Sequence, residues 1–206
     1  MPAWFRAGLV AALFVFAAAP LSPVQSAEKT FQDAALDDAA IKLEAELKEE
    51  AGTVVKPVIA LKKDADAAKK GDLDTAAETY VQIVSVAPND VAAWRRLADL
   101  WLTIPTTDED DGSTRYERAT TASYIAYRRS ATAAEEADSL IMLATAYGKR
   151  NDWRPALNAL ALALRLHETP ELKTTYDSLR EKYGFRVSNY SVDSDAASPR
   201  ACFQFT

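Results

Sequence analysis

The chain has 206 residues, 49% of them hydrophobic, and a net charge of −6, enough for one good-sized domain, or for one domain and a fragment. With only 6 glycines and much alanine, the composition favours closely packed helices. No basic stripe offsets the acidic balance, which excludes nucleic acid as a partner: Lys62-Lys63 and Arg95-Arg96 are too short to neutralise many phosphates and read as solvated faces.

Residues 1–26 read as a secretory signal peptide. Arg6 supplies the positive end, Ala7 to Ala19 is an apolar core of 13 residues, Pro20 breaks it, and Val24-Gln25-Ser26-Ala27 is a cleavage region. Cleavage falls after Ser26 or Ala27. The apolar core is shorter than the roughly 20 residues of a membrane span. The expectation is therefore a periplasmic or secreted protein with no stable membrane span once the leader is removed. Losing Arg6 takes the net charge from −6 to −7. Cys202 is the only cysteine, so there is no internal disulfide, and it reads as a small apolar residue of a strand. An export signal without disulfides suits a bacterial periplasm.

Residues 28–56 give an N-terminal helix and linker. From Phe31 to Glu50, Leu36, Ala40, Leu43 and Leu47 share one face, and Gly52 is a natural stop. The opposite face is mainly acidic, which opposes anionic lipid and favours packing on the rest of the protein. Residues 57–90 form a helix-turn-helix unit. Gly71 is expected to take a left-handed conformation between Val58–Lys70 and a second helix in which Ala76 is small at a close crossing and Tyr80 is large; Pro88 closes the unit. Residues 91–136 repeat the pattern with Trp94, Leu97, Ala98 and Trp101. After Pro105 a loop from Thr106 to Thr114 (TTDEDDGST) is inserted before a helix from Tyr116 to Ser130 carrying Ala119 and Ala126. Residues 137–170 are the third unit, with Leu140, Leu143, Ala144 and Tyr147. Asn151 stands where Gly71 stood, Pro155 and Ala156 open the second helix, and Leu160, Ala163, Leu164 and Leu166 continue its stripe. Residues 171–183 supply a capping helix, with Leu172, Tyr176, Leu179 and Tyr183 on one face.

The recurrence of Gly71, Asp72, Ala76 and Tyr80 as Asn151, Asp152, Ala156 and Leu160 resembles the tetratricopeptide (TPR) repeat family, whose unit is about 34 residues. The middle unit is about twelve residues longer than that. The resemblance covers residues 57–183 and implies an all-α superhelix of about three helix-turn-helix units. In that family the first helix of each unit lines a concave groove that holds a protein or peptide partner. Carried onto this chain, the groove positions are Leu61, Lys69, Arg95, Asp99, Leu102, Ile141, Thr145 and Lys149. The matched lysine-asparagine pattern by which some members clamp a terminal carboxylate is absent. An alternative left open is that the helix from Phe31 to Glu50, or a further body, fills the groove.

Residues 184–206 change character. Phe185 to Asp193 and Ala201 to Phe205 alternate like two short strands around a turn at Ala196 to Pro199. Two such strands do not bury a sheet by themselves, so the tail reads as the start of an incomplete β domain. The stretch SVDSDAASPRACFQF resembles the entry to the first β-sandwich domain of bacterial alpha-macroglobulin-family proteins. The resemblance implies an N-terminal piece of a protein of the protease-inhibitor-related class, without the bait region and thioester that do the trapping.

Catalytic, cofactor and metal sites are not expected. His167 is the only histidine and reads as a helix-end residue. Aligning Gly112 with the glycine of a calcium-binding EF-hand puts Thr107 and Arg118 where carboxylates are needed. No phosphate loop, nucleophile elbow or paired cysteine motif is present. The sequence reads as a binding scaffold rather than an enzyme; a structural spacer or a free-standing periplasmic TPR adaptor are the alternatives.

Overall fold

In a computed structural model the described residues are 29–68, 71–106, 109–185, 187–194 and 198–205. The expected signal peptide lies outside them. Eight helices follow one another: α1 (Ala34–Ala51), α2 (Val58–Ala68), α3 (Leu73–Val86), α4 (Val91–Thr103), α5 (Glu109–Arg129), α6 (Ala133–Lys149), α7 (Trp153–Leu166) and α8 (Pro170–Tyr183). Two strands complete the order, β1 (Val187–Asp193) and β2 (Arg200–Phe205). The fold is an all-α superhelix in which α2–α3, α4–α5 and α6–α7 are antiparallel pairs, stacked through α3 on α4 and α5 on α6, with α8 against α7.

Most helix starts are written in single residues. Asp33, Asp72, Asp90, Thr132 and Thr169 each accept hydrogen bonds from backbone N–H groups in the first turn of the helix they precede. Thr132 and Glu135 form a reciprocal capping box, so α6 begins four residues before the repeat frame starting at Ala137. At the Gly71 turn the N–H groups of Gly71 and Asp72 both bond Ala68 O, at 2.9 and 2.7 Å. That closure leaves Gly71 outside the left-handed region, contrary to the sequence expectation. Asn151 does take it, at φ 61°, with Asp152 N–H on Tyr147 O at 2.9 Å.

The acidic run after Pro105 is another departure. From Glu109 onward it is helix, the N-terminal extension of α5, rather than an inserted loop; Thr107 and Asp108 lie outside the described residues. Acidic residues at a helix start are stabilised by the partial positive charge there. Arg115 also pairs back to Asp111 at 3.0 Å, and Gly112 is small where Thr106 comes close.

The core has two contiguous parts. One joins Leu43, Leu47, Leu61, Ala76, Tyr80, Ile83, Trp94, Leu97, Leu100 and Ala119. The other joins Leu36, Tyr124, Tyr127, Leu140, Leu143, Ala156, Leu160 and Leu172. The alanines at the crossings, Ala76, Ala98, Ala119, Ala126 and Ala163, are fully buried, which lets neighbouring helices approach closely.

Helix α1 packs on α3 and α5, the second helices of the first two pairs. Leu36, Leu43 and Leu47 face inward and Ala40 is half-buried. Polar contacts hold the helix along α5: Tyr124 donates to Asp37 at 2.9 Å, Arg129 pairs with Glu44 at 2.8 Å, and Arg118 pairs with Glu50 at 2.6 Å. The segment ahead of α1 is pinned too. Lys29 Nζ reaches Ser130 O at 2.7 Å and Glu136 at 2.5 Å, and Phe31 N–H donates to the Tyr127 hydroxyl at 2.9 Å. Phe31 therefore lies outside the helix that sequence alone started there.

β1 and β2 pair antiparallel, with Tyr190 opposite Phe203, Val192 opposite Ala201 and Asp193 opposite Arg200. Neither strand packs on a helix among the described residues. One face therefore carries Tyr190, Val192, Ala201 and Phe203, and the two aromatics are 68% and 57% exposed.

Candidate functional site

Because α1 covers the α3–α5 side, the first helices of the pairs are left to form the opposite face. There α4 packs beside α6, whereas α6 and α8 do not touch along their backbones. The gap between them is a cavity of about 570 Å³. Its walls are Ile141, Ala144 and Thr145 from α6, Leu160 from α7, and Leu172 and Leu179 from α8. This volume lies within the range of about 300–1,000 Å³ usual for ligand pockets.

The indole of Trp153 lines one end of the cavity. Trp153, at the start of α7, stacks on Tyr183, at the end of α8, with ring centroids 3.7 Å apart and planes 2° from parallel. Gly148 leaves room for the indole, since a Cβ there would stand 3.3 Å from it. The other end is fixed by Thr169, whose hydroxyl accepts from Leu172 N–H at 3.2 Å. Held at both ends and spaced from α6 in between, α8 leaves the cavity open.

The hydroxyls lining the cavity are already satisfied. Thr145 donates to Ile141 O and Thr175 donates to Glu171 O, each at 2.9 Å. The charged residues on its lining are Lys149 and Glu171. Neither has an ion-pair partner among the described residues.

A second cavity of about 420 Å³ adjoins the first through Ile141 and is lined by Arg95, Arg96, Asp99, Asp138 and Met142. Charged pairs line it: Arg95 pairs across to Asp138 at 2.5 Å, and Arg96 lies 4.0 Å from Asp99. Beneath this face Tyr147 is buried, and burial pushes its phenol up to about 12. That value reflects packing rather than reactivity.

Of the groove positions expected from sequence, Arg95, Asp99, Ile141, Thr145 and Lys149 come together on this face. Leu61 does not: at 2% exposed it belongs to the core. The inward stripe of α2 is Leu61 and Ala65, so the groove register carried from the later units does not fit this helix. Leu102, at 9% exposed, is likewise turned into the core. Lys69 lies outside the described residues. Sequence reasoning missed Trp153, Gly148, Leu172, Leu179 and Glu171 as parts of the site. The cue was available in the small-aromatic pairing of Gly148 with Trp153, but it reads as turn chemistry until the end of α8 is known to return beside it. His167 is an exposed residue at the C-terminal end of α7. Among the described residues no helix is long and apolar enough to cross a membrane.

No protein-family model and no curated protein sequence matches the chain. Solved structures do resemble it. A thermophilic TPR protein of Thermus thermophilus is similar over 72% of this chain and 75% of its own, at 22% identity and a TM-score of 0.54. The N-terminal domain of stress-induced protein-1 from C. elegans is similar over 72% of this chain and 99% of its own, at 18% identity and a TM-score of 0.50. The fold is therefore TPR-like.

Proposed function

We propose that this chain is an exported protein-interaction scaffold whose α4–α6–α8 face holds an extended segment of a partner protein. The observation that carries the reading is where α1 lies. It covers the α3–α5 side and leaves the face with both cavities uncovered, so α1 is not the occupant of the groove. A TPR-like fold with a concave, mainly apolar site and a few convergent charges is suited to holding a peptide by side-chain pockets and polar contacts. The reading assigns binding and no catalysis.

The test is pull-down from periplasmic extract with the wild type and with a variant carrying Arg95→Ala, Asp99→Ala and Lys149→Ala. Loss of a specific partner with the variant is expected, and unchanged recovery removes the groove. Export has its own measurement: the mass of the mature protein after expression in a bacterial host should place its N-terminus at Ala27 or Glu28.

The finer part of the proposal concerns the hairpin. Its exposed aromatic face and, among the described residues, its lack of packing on the helices suit the first strand pair of an alpha-macroglobulin-like β domain, carried at the end of the stack. The same observation favours a second reading, a spacer that positions such a body and binds nothing else. A pull-down that returns no partner at all selects the spacer.

A further inference from the structure

The cavity between α6 and α8 has a direction. Lys149 is the last residue of α6, and a short turn then leads to Trp153, whose ring lies on Tyr183 at the end of α8. Lys149 therefore stands at the end of the cavity that Trp153 lines. Glu171 is in the first turn of α8. At 1.5 Å per residue that turn is roughly 18 Å up the helix from Tyr183. The site is thus an apolar trough with a cation at one end and a carboxylate at the other, neither neutralised by an ion pair among the described residues. Between them the lining is Ile141, Ala144, Leu160, Leu172 and Leu179, with hydroxyls that already bond the backbone.

We propose that this trough selects its peptide by charge order: an extended segment seats two bulky apolar side chains between α6 and α8, places an acidic side chain against Lys149 and a basic one against Glu171. The inference rests on the groove reading and adds the chemistry of the occupant. An extended chain advances about 3.3 Å per residue, so the two charges fall roughly six residues apart, an even spacing that keeps them and the apolar pair between them on one side of the strand. The volume of about 570 Å³ takes more than one large side chain, and the intervening residues face solvent by strand alternation. Apolar burial supplies affinity, and the separated charges supply selection.

The experiment pans a random dodecapeptide phage library on the full chain, on Thr145→Trp, and on Lys149→Glu. Thr145 is exposed on the rim, so its tryptophan fills the cavity without entering the core. The wild type is expected to enrich peptides with two large apolar residues flanked by an acid on one side and a base on the other. Thr145→Trp should lose that enrichment. Lys149→Glu puts an acid at both ends, so its selected peptides should carry bases on both flanks and the wild-type peptides should bind about five-fold more weakly. Circular dichroism of each variant checks that the helices are retained. If nothing is enriched on the wild type over Thr145→Trp, the groove reading fails and takes this one with it. If apolar pairs are enriched with no charge order, or the same peptides emerge on Lys149→Glu, the groove stands and the charge selection is overturned.

Discussion

Asn151 holds a backbone conformation, φ 61°, that side chains other than asparagine and aspartate avoid. Asn151→Gly should leave stability nearly unchanged, whereas Asn151→Val should cost about 1–2 kcal/mol by urea unfolding, because a β-branched Cβ crowds the following carbonyl there. Gly71, its counterpart in the first unit, is outside that region, so Gly71→Ala should be tolerated. The tyrosines give a pH signature at the same scale. Tyr124 and Tyr147 are both pushed up to about 12, first by burial, and Tyr124 further by its hydrogen bond to Asp37. A phenol raised in the fold above its ordinary value of 10.0 contributes stability that is complete below pH 10 and is lost as pH rises through about 12. Chemical unfolding followed from pH 9 to pH 12 should show stability falling over the upper part of that range, with a smaller fall for Tyr124→Phe.

At the scale of elements, α1 is the helix whose role sequence left open. Leu36, Leu43 and Leu47 announced an amphipathic helix, yet nothing in their spacing says which surface they cover. That depends on partners far along the chain, Tyr124, Arg118 and Arg129 on α5. Leu47→Ala, at a site 1% exposed, should cost about 2–5 kcal/mol. Hydrogen exchange should then rise in α3 and α5 more than in α7, which α1 does not touch. The helix pairs themselves were legible because alanine at close crossings and large residues beside it recur at fixed offsets. The start of α5 was not: Asp110, Asp111 and Gly112 read as loop by composition, and their helical state depends on charge at a helix start and on Arg115. The groove was half legible. Positions carried over from repeat spacing come together on α4 and α6 at Arg95, Asp99, Ile141, Thr145 and Lys149, and turn into the core at Leu61 on α2 and Leu102 on α4. The contribution of α8 needed the Trp153–Tyr183 stack, a contact between residues 30 apart in sequence.

For the whole molecule, the stack and the hairpin are energetically separate parts. Among the described residues β1 and β2 pair with each other and pack on no helix, so deleting residues 186–206 should leave the thermal midpoint of the helices within about 2 °C. The same deletion should raise solubility at high concentration, because it removes the exposed Tyr190, Val192 and Phe203 and the edges of a two-stranded sheet.

Stacked repeats ordinarily bend, since each touches only its neighbours. Lying across α3 and α5, α1 acts as a splint over the first two units, and Lys29 and Phe31 fasten its leading end at the junction with α6. Among the described residues no such splint spans α7 and α8. Bending is thereby driven to the far end of the superhelix, so that the spacing between α6 and α8 is the dimension of this protein most easily changed by what it holds.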